Sequence, residues 1–110
     1  MNNSAQLDRS FLALSHPARR RIVERLVRGP ATIGEATAGL RISKPPVTKH
    51  IRLLEESGLV RRSIEGRTHR LRLVPSALTR PADWIELHRS LWEKKLDVVE
   101  QHLRETEVDA

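Results

Sequence analysis

The stretch SKPPVTKHIRLLEESG, residues 43–58, constrains the fold more than any other part of this chain. Ser43 is a residue type that favours helix N-caps, and Gly58 can take the left-handed conformation that ends a helix. The apolar residues of the stretch recur at helical spacing and share one side: Val47, Ile51 and Leu54. The opposite side is polar and basic: Thr48, Lys49 and Arg52. The pattern predicts one short amphipathic helix with a basic outer face.

A shorter helix is predicted just before it. Thr32 and Glu35 have the T-x-x-E spacing of a capping box, and Gly39 can end the helix that they begin. Only residues 40–42 then connect the two helices. Two short helices with so tight a connection are typical of a helix-turn-helix, whose second helix enters the major groove of DNA.

A basic hairpin is predicted directly after these helices. Residues 59–64 and 67–73 are extended segments, joined by a turn signal at residues 65–66. In the second segment Leu71 and Leu73 alternate with arginines, so one face would pack and the other would be cationic. The sequence therefore predicts a winged helix-turn-helix, mainly α with a small two-stranded β-wing.

Length and charge agree with a nucleic-acid partner. A chain of 110 residues predicts a single domain, residues 1–110, and its 20 Lys and Arg against 14 Asp and Glu give a net charge of +6. Residues 44–73 hold eight basic and three acidic side chains, whereas the C-terminal end is mildly acidic. Double-stranded DNA is the expected partner of the basic region.

Several function classes are disfavoured. The absence of cysteine excludes disulfides and thiolate metal sites. The sequence contains no Gly-rich phosphate loop and no H-E-x-x-H pair, so we expect no enzyme activity, no catalytic residue and no cofactor. No apolar run approaches the roughly 18 residues of a membrane span, and no signal-peptide core is visible. A soluble cytoplasmic protein without a membrane partner is expected.

Two helices are predicted before the helix-turn-helix. The first is indicated by apolar residues at helical spacing, Leu7, Phe11 and Leu14. It should end near residues 15–16, and Pro17 suits the first turn of the second helix, which residues 29–30 should end. Residues 19–21 are three arginines at the start of that second helix, where the helix dipole disfavours cations. They are interpreted as a solvated face or as phosphate contacts.

A long helix is predicted over residues 82–104, after a connector that Pro75 and Pro81 bracket. One apolar stripe contains Ile85, Trp92, Leu96, Val99 and Leu103, and a second contains Trp84, Leu87, Leu91 and Val98. Together the stripes span about 180°, more than one small domain would cover. The simplest solution is a two-fold homodimer, which would also suit a palindromic DNA site.

Taken together, residues 11–22, 43–51, 54–60 and 66–67 resemble the ArsR (arsenic-repressor) family of bacterial winged-helix transcriptional regulators. The resemblance runs from about Leu7 to Leu103. It implies a dimeric DNA-binding repressor with about five helices and a two-stranded wing.

The resemblance also implies that residues 1–15 and 82–104 form the dimer interface. The interface residues expected on this basis are Leu7, Phe11, Trp84, Leu87, Leu91, Trp92 and Val98.

Carried over position by position, the resemblance makes four residues face the groove: Lys44, Pro46, Thr48 and Lys49. It makes His50 a backbone-contacting or packing residue, and it places the wing tip near phosphates or the minor groove. The helical wheel independently selects Thr48, Lys49 and Arg52, and Arg52 is a candidate reader of guanine. The remaining arginines are expected to contact phosphates: Arg61, Arg62, Arg67 and Arg70.

The chain departs from the family at Pro45 and Pro46, where one proline is usual. The two prolines remove donors that Ser43 would cap or a phosphate would use. Because Pro46 disfavours the α region for Pro45, we expect the helix to start late, which puts the role of Lys44 in question.

Two other functions remain as alternatives. Metal-sensing relatives use paired cysteines in the third helix, which this chain lacks, or Asp and His pairs on the last helix. His88 and His102 lie roughly 21 Å apart along one helix, so they cannot share an ion within a chain. A metal-responsive repressor with histidine and carboxylate ligands, and a winged helix that binds a protein, are the alternatives. No metal ligand is assigned, and the effector is unknown.

Overall fold

The computed structural model describes residues 3–109, with the side chains of residues 4–107. The elements in chain order are α1 (Asn3–Leu14), α2 (Pro17–Val27), β1 (Ala31–Thr32), α3 (Ile33–Thr37), α4 (Lys44–Glu56), β2 (Val60–Glu65), β3 (Thr68–Leu73), a 3₁₀ turn (Pro75–Leu78) and α5 (Thr79–Asp109). The chain divides into two compact units, one up to Thr79 and the other from Arg80 onward. The predicted winged helix-turn-helix is confirmed, and it lies within the first unit.

The first unit has one continuous apolar core, to which helices and strands both contribute. Its buried members are Ala13, Ile22, Val23, Leu26, Ala31, Ala36, Ile51, Leu54, Leu59, Val60 and Leu71. The inner stripe predicted for α4 supplies Ile51 and Leu54, which are 2% and 0% exposed. This packing holds α4 against the rest of the unit and leaves its opposite face outside.

The sheet has three strands in the order β1-β3-β2, so the predicted two-stranded wing is confirmed and an additional strand, β1, extends the sheet. The extra strand β1 pairs antiparallel with β3, with Ala31 opposite Leu71. Two residues are too few to show the period-two pattern that marks a strand in a sequence. The wing itself is β2 and β3, whose turn at Gly66 uses a φ of +63°.

The capping box predicted for α3 is confirmed. The Thr32 hydroxyl accepts from the Glu35 N–H at 3.1 Å, and the Glu35 carboxylate accepts from the Thr32 N–H at 3.1 Å. These hydrogen bonds hold the pKa of Glu35 below its ordinary value. They fix the start of the first helix of the helix-turn-helix.

The start of α2 explains two of the three arginines that follow it, Arg19 and Arg20. The His16 ring caps the helix, since its Nδ1 accepts from the Ala18 N–H at 3.0 Å. Arg19 is buried, with 6% exposure, so neither interpretation of the sequence holds for this residue. Arg20 donates to the Leu14 carbonyl at 2.9 Å.

Arg19 likewise donates to the carbonyls of Leu12 and Ala13, at 3.0 and 2.9 Å. Cations at the N-terminus of α2 are therefore cations at the C-terminus of α1, where the helix dipole favours them.

α4 begins at Lys44, so the expected late start was wrong. Residues in the first turn have no intrahelical partner for their N–H groups, and Pro45 and Pro46 lose no helical hydrogen bond there. The first backbone bond of the helix runs from the Val47 N–H to the Ser43 carbonyl at 3.4 Å.

The boundaries expected for the last helix were also wrong. α5 begins at Thr79 and continues to Asp109, with Pro81 in its first turn. As in α4, a proline in that turn removes no helical hydrogen bond. Among the residues that the structure describes, no helix combines the length and apolar character needed to cross a membrane.

Candidate nucleic-acid interface

The outer face of α4 is basic and open to solvent. Packing of Ile51 and Leu54 against the core turns the opposite side outward. The four predicted groove-facing residues and the candidate reader Arg52 are all exposed: Lys44, Pro46, Thr48, Lys49 and Arg52. Lys44 and Thr48 border one groove beside α4, whereas Pro46 and Lys49 border another.

The N-terminus of α4 offers few backbone donors. Ser43 occupies the N-cap position with an extended backbone, but its side chain makes no capping hydrogen bond. A cap accepts from the N–H of the second or third helical residue, and those residues are Pro45 and Pro46. Lys44 is the one residue of the first three with an N–H group. Contact with a phosphate here would depend on side chains.

The polar side chains of α4 are only weakly engaged within the protein. The Thr48 hydroxyl donates to the Lys44 carbonyl at 3.1 Å and keeps its acceptor lone pairs. Arg52 lies 3.7 Å from Glu56, and both side chains are more than half exposed. Such a pair contributes little to stability, so Arg52 can exchange Glu56 for another acceptor.

The register of the wing separates its arginines into two faces. Arg61 lies directly opposite Arg72, and both are exposed. Arg70 shares their face and is half-buried, while Arg67 is exposed in the turn. Like charges opposite each other destabilise an antiparallel pair, so an anion between Arg61 and Arg72 would relieve repulsion. Arg72 was missing from the predicted contacts, although the alternation of the strand already indicated it.

Arg62 lies on the other face of the wing, against the core. It is opposite buried Leu71 and its guanidinium reaches Glu55 of α4, with Nη2 and Oε1 2.6 Å apart. Its Nη1 lies 3.1 Å from Nδ1 of His69. The Nε of Arg62 is buried and makes no hydrogen bond. These contacts connect the wing to α4, so Arg62 has a structural task besides the predicted contact with phosphate.

The inner side of α4 carries a polar contact that the sequence did not indicate. His50 is buried, with 8% exposure, and its Nδ1 lies 2.8 Å from Nη1 of Arg19. The His16 ring packs beside it, with ring centroids 4.5 Å apart. The expectation that His50 is a packing residue agrees with this position.

No group of three or more His, Cys, Asp or Glu side chains could hold a metal ion within the part of the chain that the structure describes. His88 stacks on Trp84 with ring centroids 4.1 Å apart. Its Nδ1 lies 2.8 Å from the Trp84 carbonyl and donates to it.

The predicted interface residues fall in both units. Leu7 and Phe11 are half-buried in α1. The others lie on α5 and are exposed by 45–67%: Trp84, Leu87, Leu91, Trp92 and Val98.

Comparison with known proteins gives consistent matches. A family described as a helix-turn-helix domain matches residues 14–63. The HTH-type transcriptional regulator Rv2034 of Mycobacterium tuberculosis is 43% identical over 53 residues, which are 48% of this chain and 50% of that protein. The transcriptional repressor SdpR of Bacillus subtilis is 34% identical over 50 residues, 46% of this chain and 56% of that protein. The matches thus span about half the length of these curated relatives.

Among solved structures, the crystal structure of an ArsR family transcriptional regulator, RHA00566, superimposes with a TM-score of 0.78. It is 35% identical, and the match covers 84% of this chain and 95% of that one. The ArsR-like transcriptional regulator from Rhodococcus sp. RHA1 gives a TM-score of 0.75 at 28% identity, over 92% and 95% of the two chains.

Proposed function

The chain belongs to the ArsR family of winged-helix transcriptional regulators, and on that premise we propose that it is a homodimeric repressor that binds a palindromic operator. α4 would enter the major groove, and the wing would hold the adjacent backbone. Repression would follow from occupation of a promoter. The compartment proposed for this activity is the cytoplasm.

The observation that carries the proposal is the exposed basic face of α4. Thr48, Lys49 and Arg52 project from a helix whose other side is anchored in the core. An arginine can donate twice to guanine, and a lysine can donate to the same acceptors. Because the helix is rigidly packed, these donors would be presented to base edges in a fixed arrangement.

The wing supports the same proposal through its charge. Arg61, Arg67 and Arg72 are exposed on it. Contacts of this kind neutralise phosphates and give affinity without sequence preference. We therefore assign sequence reading to α4 and backbone binding to these wing arginines.

Dimerisation is supported by the apolar surface of α5. Among the side chains of this helix that the structure describes, nine large hydrophobic ones are exposed: Trp84, Ile85, Leu87, Leu91, Trp92, Leu96, Val98, Val99 and Leu103. Contiguous apolar surface of this extent indicates an interaction site. A two-fold partner would bury it and would place a second α4 at a second half-site. Repression is proposed by similarity to SdpR, which is named a transcriptional repressor.

The test is binding of the purified protein to the DNA upstream of its own gene and to a random duplex of equal length, at several salt concentrations. We expect tight binding to one segment of the upstream DNA, with two protomers per site. The logarithm of the affinity should fall with the logarithm of salt concentration at a slope of about −0.9 per neutralised phosphate. Equal, weak binding to both duplexes would contradict the proposal and favour a protein-binding module.

Two variants separate base reading from backbone binding. Lys49→Ala should weaken specific binding more than non-specific binding, by about 1–3 kcal/mol if Lys49 contacts a base. Arg67→Ala should weaken both about equally and reduce the salt slope by about one. Lys94→Ala on α5, outside the winged-helix unit, is the matched control for loss of one charge. If Lys49→Ala lowered the affinity for both duplexes equally, Lys49 would not be a residue that reads the sequence.

A further inference from the structure

Arg19 connects three helices through a single buried guanidinium. From its place on α2 it donates to the carbonyls of Ala13 and Leu12 at the end of α1, at 2.9 and 3.0 Å. Its Nη2 also lies 3.4 Å from the Ser15 hydroxyl. Its Nη1 lies 2.8 Å from Nδ1 of His50 on α4. The end of α1 and the inner side of α4 are thus held by the same group.

The chemistry of the two side chains fixes the protonation state of His50. A guanidinium has no acceptor and remains charged, so Arg19 must be the donor in this hydrogen bond. Nδ1 of His50 must therefore be the acceptor and carry no proton. The contact exists only while His50 is neutral, with its proton on Nε2.

We infer that Arg19 and His50 are positioning residues for DNA recognition: together they hold α4 against α1, and acidification weakens operator binding by protonating His50. The inference rests on the proposed function and adds regulation of operator affinity by pH. Neither residue needs to touch DNA, because His50 faces inward while Thr48 and Lys49 face outward.

The groups around His50 all oppose a positive charge on its ring. α2 and the residue before it contribute Arg19 and His16, and α4 itself contributes Lys49. The groove beside the ring is lined on the α1 side by Leu12, which cannot titrate. No carboxylate is among the described residues that line this groove. A proton on His50 would therefore face an arginine at hydrogen-bond distance with no counter-ion.

The direction of the pH effect follows from this arrangement. Burial lowers the pKa of His50 below its ordinary value, and the charges of His16, Arg19 and Lys49 lower it further. Between about pH 6.5 and the lowered pKa, His50 therefore binds less proton in the folded protein than in the unfolded chain. The contribution of neutral His50 to the free energy of unfolding is complete above about pH 6.5. It is lost as the pH falls through the lowered pKa.

The expected pH profile of DNA binding is distinctive because simple electrostatics predicts the opposite. Acidification makes the net charge of a protein more positive, and added positive charge raises affinity for a polyanion. A protein whose helix position did not depend on His50 would bind DNA more tightly at low pH. Loss of operator affinity on acidification would identify the contact between Arg19 and His50.

The experiment compares the full chain with His50→Asn on a duplex that contains the upstream DNA, between about pH 7.5 and about pH 5.5. Asn Oδ1 stands near the place of the histidine Nδ1 and can accept from Arg19 without titrating. The wild-type affinity should fall about fivefold or more on acidification, as for an ordinary coupling between sites. His50→Asn should bind about as tightly as wild type at the higher pH, and its affinity should not fall.

Arg19→Gln and Arg20→Gln form a matched pair, since both arginines cap α1 and only Arg19 reaches His50. Arg19→Gln should reduce operator affinity and remove the fall in affinity on acidification, whereas Arg20→Gln should keep the wild-type profile. Urea unfolding of each variant at both pH values reports the same proton linkage without DNA, and acid should destabilise wild type more than His50→Asn.

The outcomes separate the inference from the proposed function. If wild type binds the duplex and its affinity rises on acidification, or if His50→Asn loses affinity as wild type does, the inference is wrong and the repressor proposal stands. If wild type binds no duplex at either pH, the proposed function fails and the inference falls with it.

Discussion

The winged-helix unit and α5 use their apolar residues in opposite ways. In the unit that ends at Thr79, the largest core side chains are at most 2% exposed: Ile22, Ile51, Leu54, Leu59 and Leu71. In α5 every large hydrophobic side chain named above remains 45–67% exposed. The first region completes its own core, whereas the second carries apolar surface that a single chain leaves in water. Within one chain, the apolar residues of the two regions therefore differ in whether they are covered.

The polar contacts differ in the same way. In the first unit, Arg19 and Arg62 connect different secondary-structure elements, through partners 31 and 7 residues away. In α5 the ion pairs join residues three or four positions apart, such as Arg89 with Glu86 and Arg104 with Glu100. Local pairs stabilise one helix by small amounts, whereas contacts between elements define how those elements are arranged.

The largest expected effect is in the core of the first unit. Leu54 is 0% exposed, so Leu54→Ala removes buried methyl groups and leaves a cavity. We expect a loss of about 2–5 kcal/mol in the free energy of unfolding, measured by urea denaturation. The loss should be the same at every protein concentration.

Leu91→Ala on α5, where the side chain is 52% exposed, is the matched comparison. It should act through association, so its effect on the unfolding midpoint should depend on protein concentration. Equal, concentration-independent losses from the two variants would remove the distinction between the regions.

The next effect is on association. Leu96 is 47% exposed in the first apolar stripe of α5, and Leu96→Glu places a charge in the proposed dimer seam. Burying an unpaired carboxylate is unfavourable, so the dimer should weaken about tenfold or more, with lower operator affinity. Analytical ultracentrifugation measures the change.

Gln101→Glu adds the same charge outside the two stripes and should leave the dimer intact. An unchanged dimer in Leu96→Glu would show that the exposed face of α5 is not the seam.

Much of the fold could be predicted because the patterns are local. Helical spacing, the capping box at Thr32 and the turn at Gly66 each depend on a few neighbouring residues. Strand β1 was missed because two residues carry no periodicity, and the start of α5 was misplaced because Pro81 was interpreted as a break. A proline is equally suited to a first turn, and only the helix on either side of it distinguishes the two cases.

The candidate site was predictable on its outer face and less so beneath it. The exposed residues of α4 follow from helical periodicity alone. The sequence could also have separated Arg61 from Arg62, since adjacent residues of a strand point to opposite faces. The burial of Arg19 could not be predicted in this way. It depends on α1 ending beside the first turn of α2, which is a property of packing rather than of either segment.

The smallest expected effect is on the free energy of unfolding, when one of two ion pairs of equal length but different burial is broken. Arg62 and Glu55 are 2.6 Å apart with side chains 26% and 32% exposed, while Arg104 and Glu100 are also 2.6 Å apart but 69% and 62% exposed. Glu55→Gln should lower the free energy of unfolding by about 1 kcal/mol, since it removes a charged acceptor from a half-buried guanidinium. Glu100→Gln should change it by less than about 0.5 kcal/mol, because water and salt already screen that pair. Urea denaturation at low and high salt measures both, and added salt should reduce only the second effect substantially. Equal changes in the two variants would show that distance, rather than burial and the joining of α4 to the wing, determines the strength of these pairs.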